Sequence, residues 1–298
     1  MKTWTTILPA LVLSLAIGPA QAQDKLEGER PAQAVEALVK QLDEILPRWD
    51  ESILQQPETA DWTADLTLTT VIRSLGARDL AEVAQKAPNG ASFLQTKAEA
   101  LRVDPARGYV RYANRAAAVD LSRKVPPLPE PPEVMERGIE ILSRLGLPPG
   151  EFAKPQVETQ MAAGGSIKAE KPERVDEVYR LLVVGRVIND LPVFGSNALV
   201  AMTSKAELQR LRTQWPVFRM EHSDKLLERE VVLLQSAEVL LDHGIAAGDD
   251  LRAQLGYAPV ADEPGSAYVP VALIAGAVEP TPVMISVPLV SPGDFDER

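Results

Sequence analysis

Three long runs of β-forming residues in the second half of the chain constrain its fold most strongly. They cover residues 175–188, 193–203 and 208–218, and each is rich in branched or aromatic side chains. The connecting segments, Asn189-Asp190-Leu191-Pro192 and Ser204-Lys205-Ala206-Glu207, have the composition of turns. Long strand-like runs separated by short turns predict an antiparallel meander.

Helical periodicity dominates the residues before the first strand-like runs. Its apolar spacing predicts a helix over residues 31–46, a short helical piece between Pro47 and Pro57, and two helices over residues 65–75 and 78–86, split at Gly76. Residues 23–90 are therefore expected to form a mostly helical N-terminal region.

Residues 91–170 combine a hairpin, a proline-rich segment and a helix. Strand-like runs over 92–103 and 109–115 flank Asp104-Pro105-Ala106-Arg107-Gly108, in which Pro and Gly favour a turn. The proline-rich residues 125–132 are predicted to be extended and to enter a helix that ends at Gly146.

Residues 171–298 contain the meander and further helix and strand patterns. A helix is predicted over residues 228–243 and a shorter one over 249–255, followed by a hairpin made of residues 268–275 and 283–290. Strands in blocks, without regular alternation with helices, predict an α+β fold: an antiparallel sheet with helices packed on one face.

The N-terminus has the features of a bacterial secretory signal peptide. Lys2 precedes an apolar run, and Ala20-Gln21-Ala22 supplies small residues before a predicted cut after Ala22. We therefore expect residues 1–22 to be removed and the protein to be periplasmic or secreted. No later stretch is apolar for long enough to predict a membrane span.

Composition excludes several kinds of chemistry. The chain of 298 residues has no cysteine and two histidines, so thiol nucleophiles and zinc or iron sites built on Cys or His clusters lack their ligands. No cofactor and no metal site is predicted. The net charge of −11 makes a nucleic-acid partner unexpected, although residues 97–124 contain seven basic and three acidic residues.

The meander resembles the PepSY and FTP group of small α+β domains, the second of which is named from propeptides of fungalysin and thermolysin-type proteases. The resemblance rests on Pro192, Val193 and Gly195 in a "-Pro-Val-x-Gly-" turn and on Trp215 after the third strand. It covers at most residues 171–290. It implies a domain that acts as a chaperone or inhibitor of a protease, here a separate partner, because no protease sequence follows.

Three functional hypotheses remain open from the sequence. The leading one is a non-catalytic binding protein that engages a protein partner, such as an envelope protease, through a sheet edge or groove. The first alternative is an envelope hydrolase that uses carboxylates alone and needs two of them in one cleft. The second is a binder of small anionic ligands, with Arg107, Arg111 and Arg115 as the candidate contact residues.

Overall fold

The structure is a computed structural model, and it describes residues 32–57, 61–86, 91–164, 174–221, 225–261, 263–278 and 281–291. The predicted signal peptide lies outside the described residues. Its cleavage and the expected localisation therefore stay predictions.

Five α-helices lie in the described part of the chain, close to the predicted positions. They are α1 (Ala32–Ile45), α2 (Leu68–Leu75), α3 (Arg78–Ala84), α4 (Pro131–Arg144) and α5 (Arg229–Asp242). The side chains of Thr67 and Thr70 cap the start of α2 reciprocally. Gly76 ends α2 in the left-handed conformation, at φ +65°, which explains the predicted split between α2 and α3.

Ten strands of the described residues form one mostly antiparallel sheet. They are β1 (Phe93–Gln95), β2 (Glu99–Asp104), β3 (Tyr109–Asn114), β4 (Gln156–Gly164), β5 (Arg174–Ile188), β6 (Leu191–Met202), β7 (Leu208–Gln214), β8 (Leu251–Pro259), β9 (Tyr268–Val278) and β10 (Thr281–Pro288). The main path through the sheet runs β1-β2-β3-β7-β6-β8-β9-β10, and β5 pairs with β6 on one side and β4 on the other. The predicted α+β class is confirmed.

The predicted meander is confirmed in strands β5, β6 and β7, which pair antiparallel in sequence order. Ile188 pairs with Leu191, so the first connection is a two-residue turn. Both turn residues, Asn189 and Asp190, have positive φ angles of 49° and 61°. Such angles give the backbone the twist that a tight hairpin requires, and Asn and Asp tolerate them well.

The predicted helix over residues 249–255 is wrong, because that segment enters strand β8. Leu251 and Leu255 are both buried, and a spacing of four residues fits one face of a strand as well as one face of a helix. Pairing decides between the two, since β8 is hydrogen-bonded to β9 along its whole length. Gly256 also brings β8 close to β6: a Cβ there would lie 2.6 Å from the Pro192 carbonyl oxygen.

The single strand predicted over residues 92–103 is wrong in detail, because the segment folds back on itself as β1 and β2. The hydroxyl of Thr96 accepts hydrogen bonds from the backbone N–H groups of Ala98 and Glu99, at 3.2 and 2.9 Å. These bonds stabilise a turn within a segment whose residue types predict one continuous strand.

Two larger hydrophobic cores hold the helices on the sheet, and two smaller apolar clusters lie elsewhere in the described residues. The first core lies between helices α2 to α4 and one face of strands β1 to β7, and the second joins α1 and α5 to β8, β9 and β10. Gln41 of α1 ties the second core together by donating to the Asp249 carbonyl and accepting from Gly248 N–H, both at 2.8 Å. Contacts therefore cross between residues 23–90 and 171–298, while the division of the chain into segments stays a prediction.

Candidate binding face

The face of the meander opposite the first core carries alternate residues of its strands. On β2, β3 and β7, the buried positions pack into the first core, and the positions between them point the other way. We call this second set, together with its continuation on β6 and β5, the outer face. In both cores, the helices of the described residues pack elsewhere, and none of them covers the outer face.

Three arginines lie side by side on the outer face and form an arginine row. Arg102 on β2 pairs in register with Arg111 on β3, and Arg111 pairs with Arg212 on β7. Neighbouring strands are about 4.8 Å apart, so the row crosses roughly 10 Å of sheet. Like charges directly opposite each other destabilise a sheet. The row therefore costs stability unless an anion compensates it.

Within the described residues, none forms an ion pair with a member of the arginine row. The Arg102 guanidinium carbon lies 5.8 Å from the centre of the Tyr109 ring. The Nε atoms of Arg212 and of its neighbour Arg210 are buried and have no hydrogen-bond partner among the described residues. Buried donors of this kind without an acceptor add to the cost of holding these cations on the sheet.

Apolar side chains extend the arginine row at both ends. Beyond Arg212 come Leu199 on β6 and Val183 on β5, both half-buried. Beyond Arg102 comes Phe93 on β1, which is 53% exposed. A cationic centre between apolar margins is the composition of a protein-binding surface, where arginine and aromatic residues are enriched.

The structure does not bring the three predicted contact residues together. Arg111 lies in the arginine row, but Arg107 belongs to a 3-10 turn after β2 and lies 4.0 Å from the Asp104 carboxylate. Arg115 follows the end of β3, where its backbone N–H bonds to Ala98. The predicted trio spans more than the length of β3, and its role in binding an anion stays untested.

The sequence analysis did not identify Arg102 or Arg212 as contact residues, although Arg102 could have been found from the hairpin that contains it. The hairpin of β2 and β3 has a short turn, so its register could have placed Arg102 opposite Arg111. Arg212 joins the row only because β7 pairs with β3, a strand about 100 residues earlier in the chain. Nothing local in the sequence specifies that pairing.

A buried ion pair lies beside Trp215 of the first core. The Arg186 guanidinium donates from Nε to the Glu151 carboxylate at 2.7 Å and from a terminal nitrogen to the Pro216 carbonyl at 2.5 Å. Trp215, the aromatic residue of the resemblance, donates its indole N–H to the same carboxylate at 3.1 Å. Burial lowers the pKa of Arg186, and Glu151 partly opposes this shift. Every charge in this cluster is paired, so it serves the fold.

The other face of the sheet has a pocket of ≈ 250 Å³ with two carboxylates among its lining residues, Glu99 and Glu207. Glu99 is buried and accepts a 2.6 Å hydrogen bond from the Tyr112 hydroxyl and a 3.3 Å bond from Leu80 N–H. Burial, and then the hydrogen bond to Glu99, raises the pKa of Tyr112 well above its ordinary value. Arg137 and Arg144 also line this charged pocket.

Comparison with protein-family models and with curated proteins finds no match to this chain. The resemblance to the PepSY and FTP group therefore stays a prediction. Among the described residues, no helix is long and apolar enough to cross a membrane. The same residues contain no group of three or more histidine or acidic side chains placed to hold a metal ion.

Proposed function

We propose that this chain is a non-catalytic bacterial binding protein, periplasmic or secreted, whose outer face engages an acidic surface of a protein partner such as an envelope protease. The observation that carries the proposal is the arginine row: three neighbouring cations on an uncovered sheet face, without counter-ions among the described residues. They lie in a chain whose net charge is −11. A cluster of cations on a chain whose net charge is negative favours binding to a specific acidic surface.

The outer face supports binding better than catalysis. Around the arginine row this face carries tyrosine, leucine and glutamine side chains and one carboxylate, Asp104, which lies 4.0 Å from Arg107. Arginine is a permanent cation in proteins. A row of permanent cations can hold and orient carboxylates through paired N–H donors. It offers no base and no nucleophile.

A protein partner fits this face better than a long polyanion does. The row is only about 10 Å across, and the net charge of the chain would repel an extended anionic polymer beyond it. Phe93, Leu199 and Val183 add apolar contact area beside the cations. Such margins exclude water from charged contacts and strengthen them.

The carboxylate hydrolase remains a second candidate because Glu99 and Glu207 line one pocket. Glu99, however, accepts hydrogen bonds on both of its oxygens, from the Tyr112 hydroxyl and from Leu80 N–H, which fix its carboxylate as part of the fold. A hydrolase would turn over glycan substrates and lose that turnover in Glu207→Gln. No turnover by the unaltered chain, or equal turnover by the unaltered chain and the Glu207→Gln variant, would contradict this second candidate.

Charge selectivity tests the proposed function. Short fluorescent peptides built from Ala with Glu, Gln or Lys are titrated with the full chain, and binding is followed by anisotropy. We expect the Glu peptide to bind at least about tenfold more tightly than the Gln peptide at low salt, since each paired cation adds roughly 0.5–1 kcal/mol. High salt should remove most of this difference. Equal binding of the Glu and Gln peptides would contradict the proposal.

A further inference from the structure

The charged pocket lies on the inner side of the sheet, apart from the outer face. Its cationic wall is helix α4, which contributes Arg137 and Arg144 two turns apart. Its anionic wall is formed by Glu99 of β2 and by Glu207, which precedes β7. The pocket therefore presents opposite charges from different elements of the fold.

These opposite charges do not neutralise each other. Among the described residues, Arg137, Glu99 and Glu207 form no ion pair, and Arg144 approaches only Glu140 of its own helix, at 3.9 Å. Oppositely charged groups that line one pocket without bridging it are both available to a ligand. A ligand that satisfies both must itself carry a positive and a negative group.

The carboxylate of Glu99 is oriented so that it can bind the positive group of such a ligand. The bonds from Tyr112 and Leu80 fix the orientation of its carboxylate, and a carboxylate keeps further lone pairs free after accepting two hydrogen bonds. The C-terminal end of α2, at Leu75 and Gly76, borders the same pocket. The partial negative charge of a helix C-terminus also favours a cation.

The remaining lining is apolar and the pocket is small. Leu75, Ile141 and Leu208 contribute aliphatic side chains, and ≈ 250 Å³ is below the usual range for drug-sized ligands, roughly 300–1,000 Å³. We infer that the charged pocket binds a free amino acid with an aliphatic side chain. Its ammonium group meets Glu99 and Glu207, and its carboxylate meets Arg137 and Arg144.

Calorimetric titration of the full chain with L-leucine and L-methionine tests this inference. Because both charges of the ligand are used, N-acetyl-L-leucine and L-leucinamide should each bind at least about tenfold more weakly than L-leucine. Arg137→Gln and Glu207→Gln, both at exposed positions, should weaken leucine binding to a similar extent. Glu133→Gln, on the same helix but outside the pocket, is the matched control and should leave binding unchanged.

Absence of binding by both amino acids up to millimolar concentration would overturn the inference. Equal affinity for the capped ligands, or unchanged affinity in both pocket variants, would do the same. The inference is independent of the proposed function, because none of these variants alters the arginine row. Peptide binding by the outer face should persist in all of them.

Discussion

Replacing Gly108 with alanine is expected to reduce the free energy of unfolding by about 3 kcal/mol. Gly108 has a φ of +53°, and a Cβ atom there would lie 2.1 Å from the Trp215 carbonyl oxygen. The same carbonyl accepts the Trp62 indole N–H at 2.7 Å, and Trp215 N–H donates to the Gly108 carbonyl at 3.0 Å. The substitution therefore separates β3 from the residues that follow β7, and loosens Trp62 as well.

Gly76→Ala provides the control for the backbone conformation. Gly76 has a similar φ of +65°, but a Cβ atom at this position would meet no heavy atom within 4 Å. Only the cost of the left-handed backbone applies there, about 1 kcal/mol. Urea unfolding followed by tryptophan fluorescence measures both variants. Equal losses in the two would show that the contact with Trp215 is not what constrains Gly108.

Breaking the buried ion pair between Arg186 and Glu151 is expected to cost about 3–5 kcal/mol in the single variant Arg186→Met. The Arg186 side chain is 1% exposed, and its removal leaves the Glu151 carboxylate buried without its counter-ion. The guanidinium also lies 5.5 Å from the ring centre of Trp215 and 5.6 Å from that of Phe218. The loss should therefore loosen the packing around these two aromatic rings.

The double variant Arg186→Met with Glu151→Met separates the effect of charge from that of packing. Removing both charges leaves no unpaired ion, so this variant should unfold at a higher urea concentration than Arg186→Met alone. The comparison uses the same fluorescence assay near neutral pH. A double variant less stable than the single one would mean that packing of the two polar side chains, rather than their pairing, dominates.

Local periodicity was sufficient to predict the helices and the meander, because each of these elements buries one face. Prolines and glycines marked several of their ends, such as Gly76 after α2. Residues 249–255 were misassigned because their two leucines fit both periods, and only pairing with β9 decides between them. The local sequence therefore predicted the helices and strands more reliably than it predicted which strands pair with each other.

The candidate site was only partly predictable for the same reason. Arg111 stood out within a basic stretch, but a row across three strands exists only once β3 has paired with β7. Arg107, Arg111 and Arg115 were predicted to contact one ligand, but the turn before β3 and the end of β3 separate the outer two. The arginine row depends on the pairing of strands that are distant in the sequence, which a local sequence pattern does not specify.

The most direct test of the outer face as the binding site compares two triple variants of equal net charge. One replaces Arg102, Arg111 and Arg212 with serine, and the other replaces the exposed residues Arg48, Arg123 and Arg252 with serine. Both are titrated with the fluorescent Glu peptide beside the unaltered chain. We expect at least about tenfold weaker binding in the first variant and nearly unchanged binding in the second. Equal loss in both variants, or full binding by the first, would contradict the assignment of the outer face.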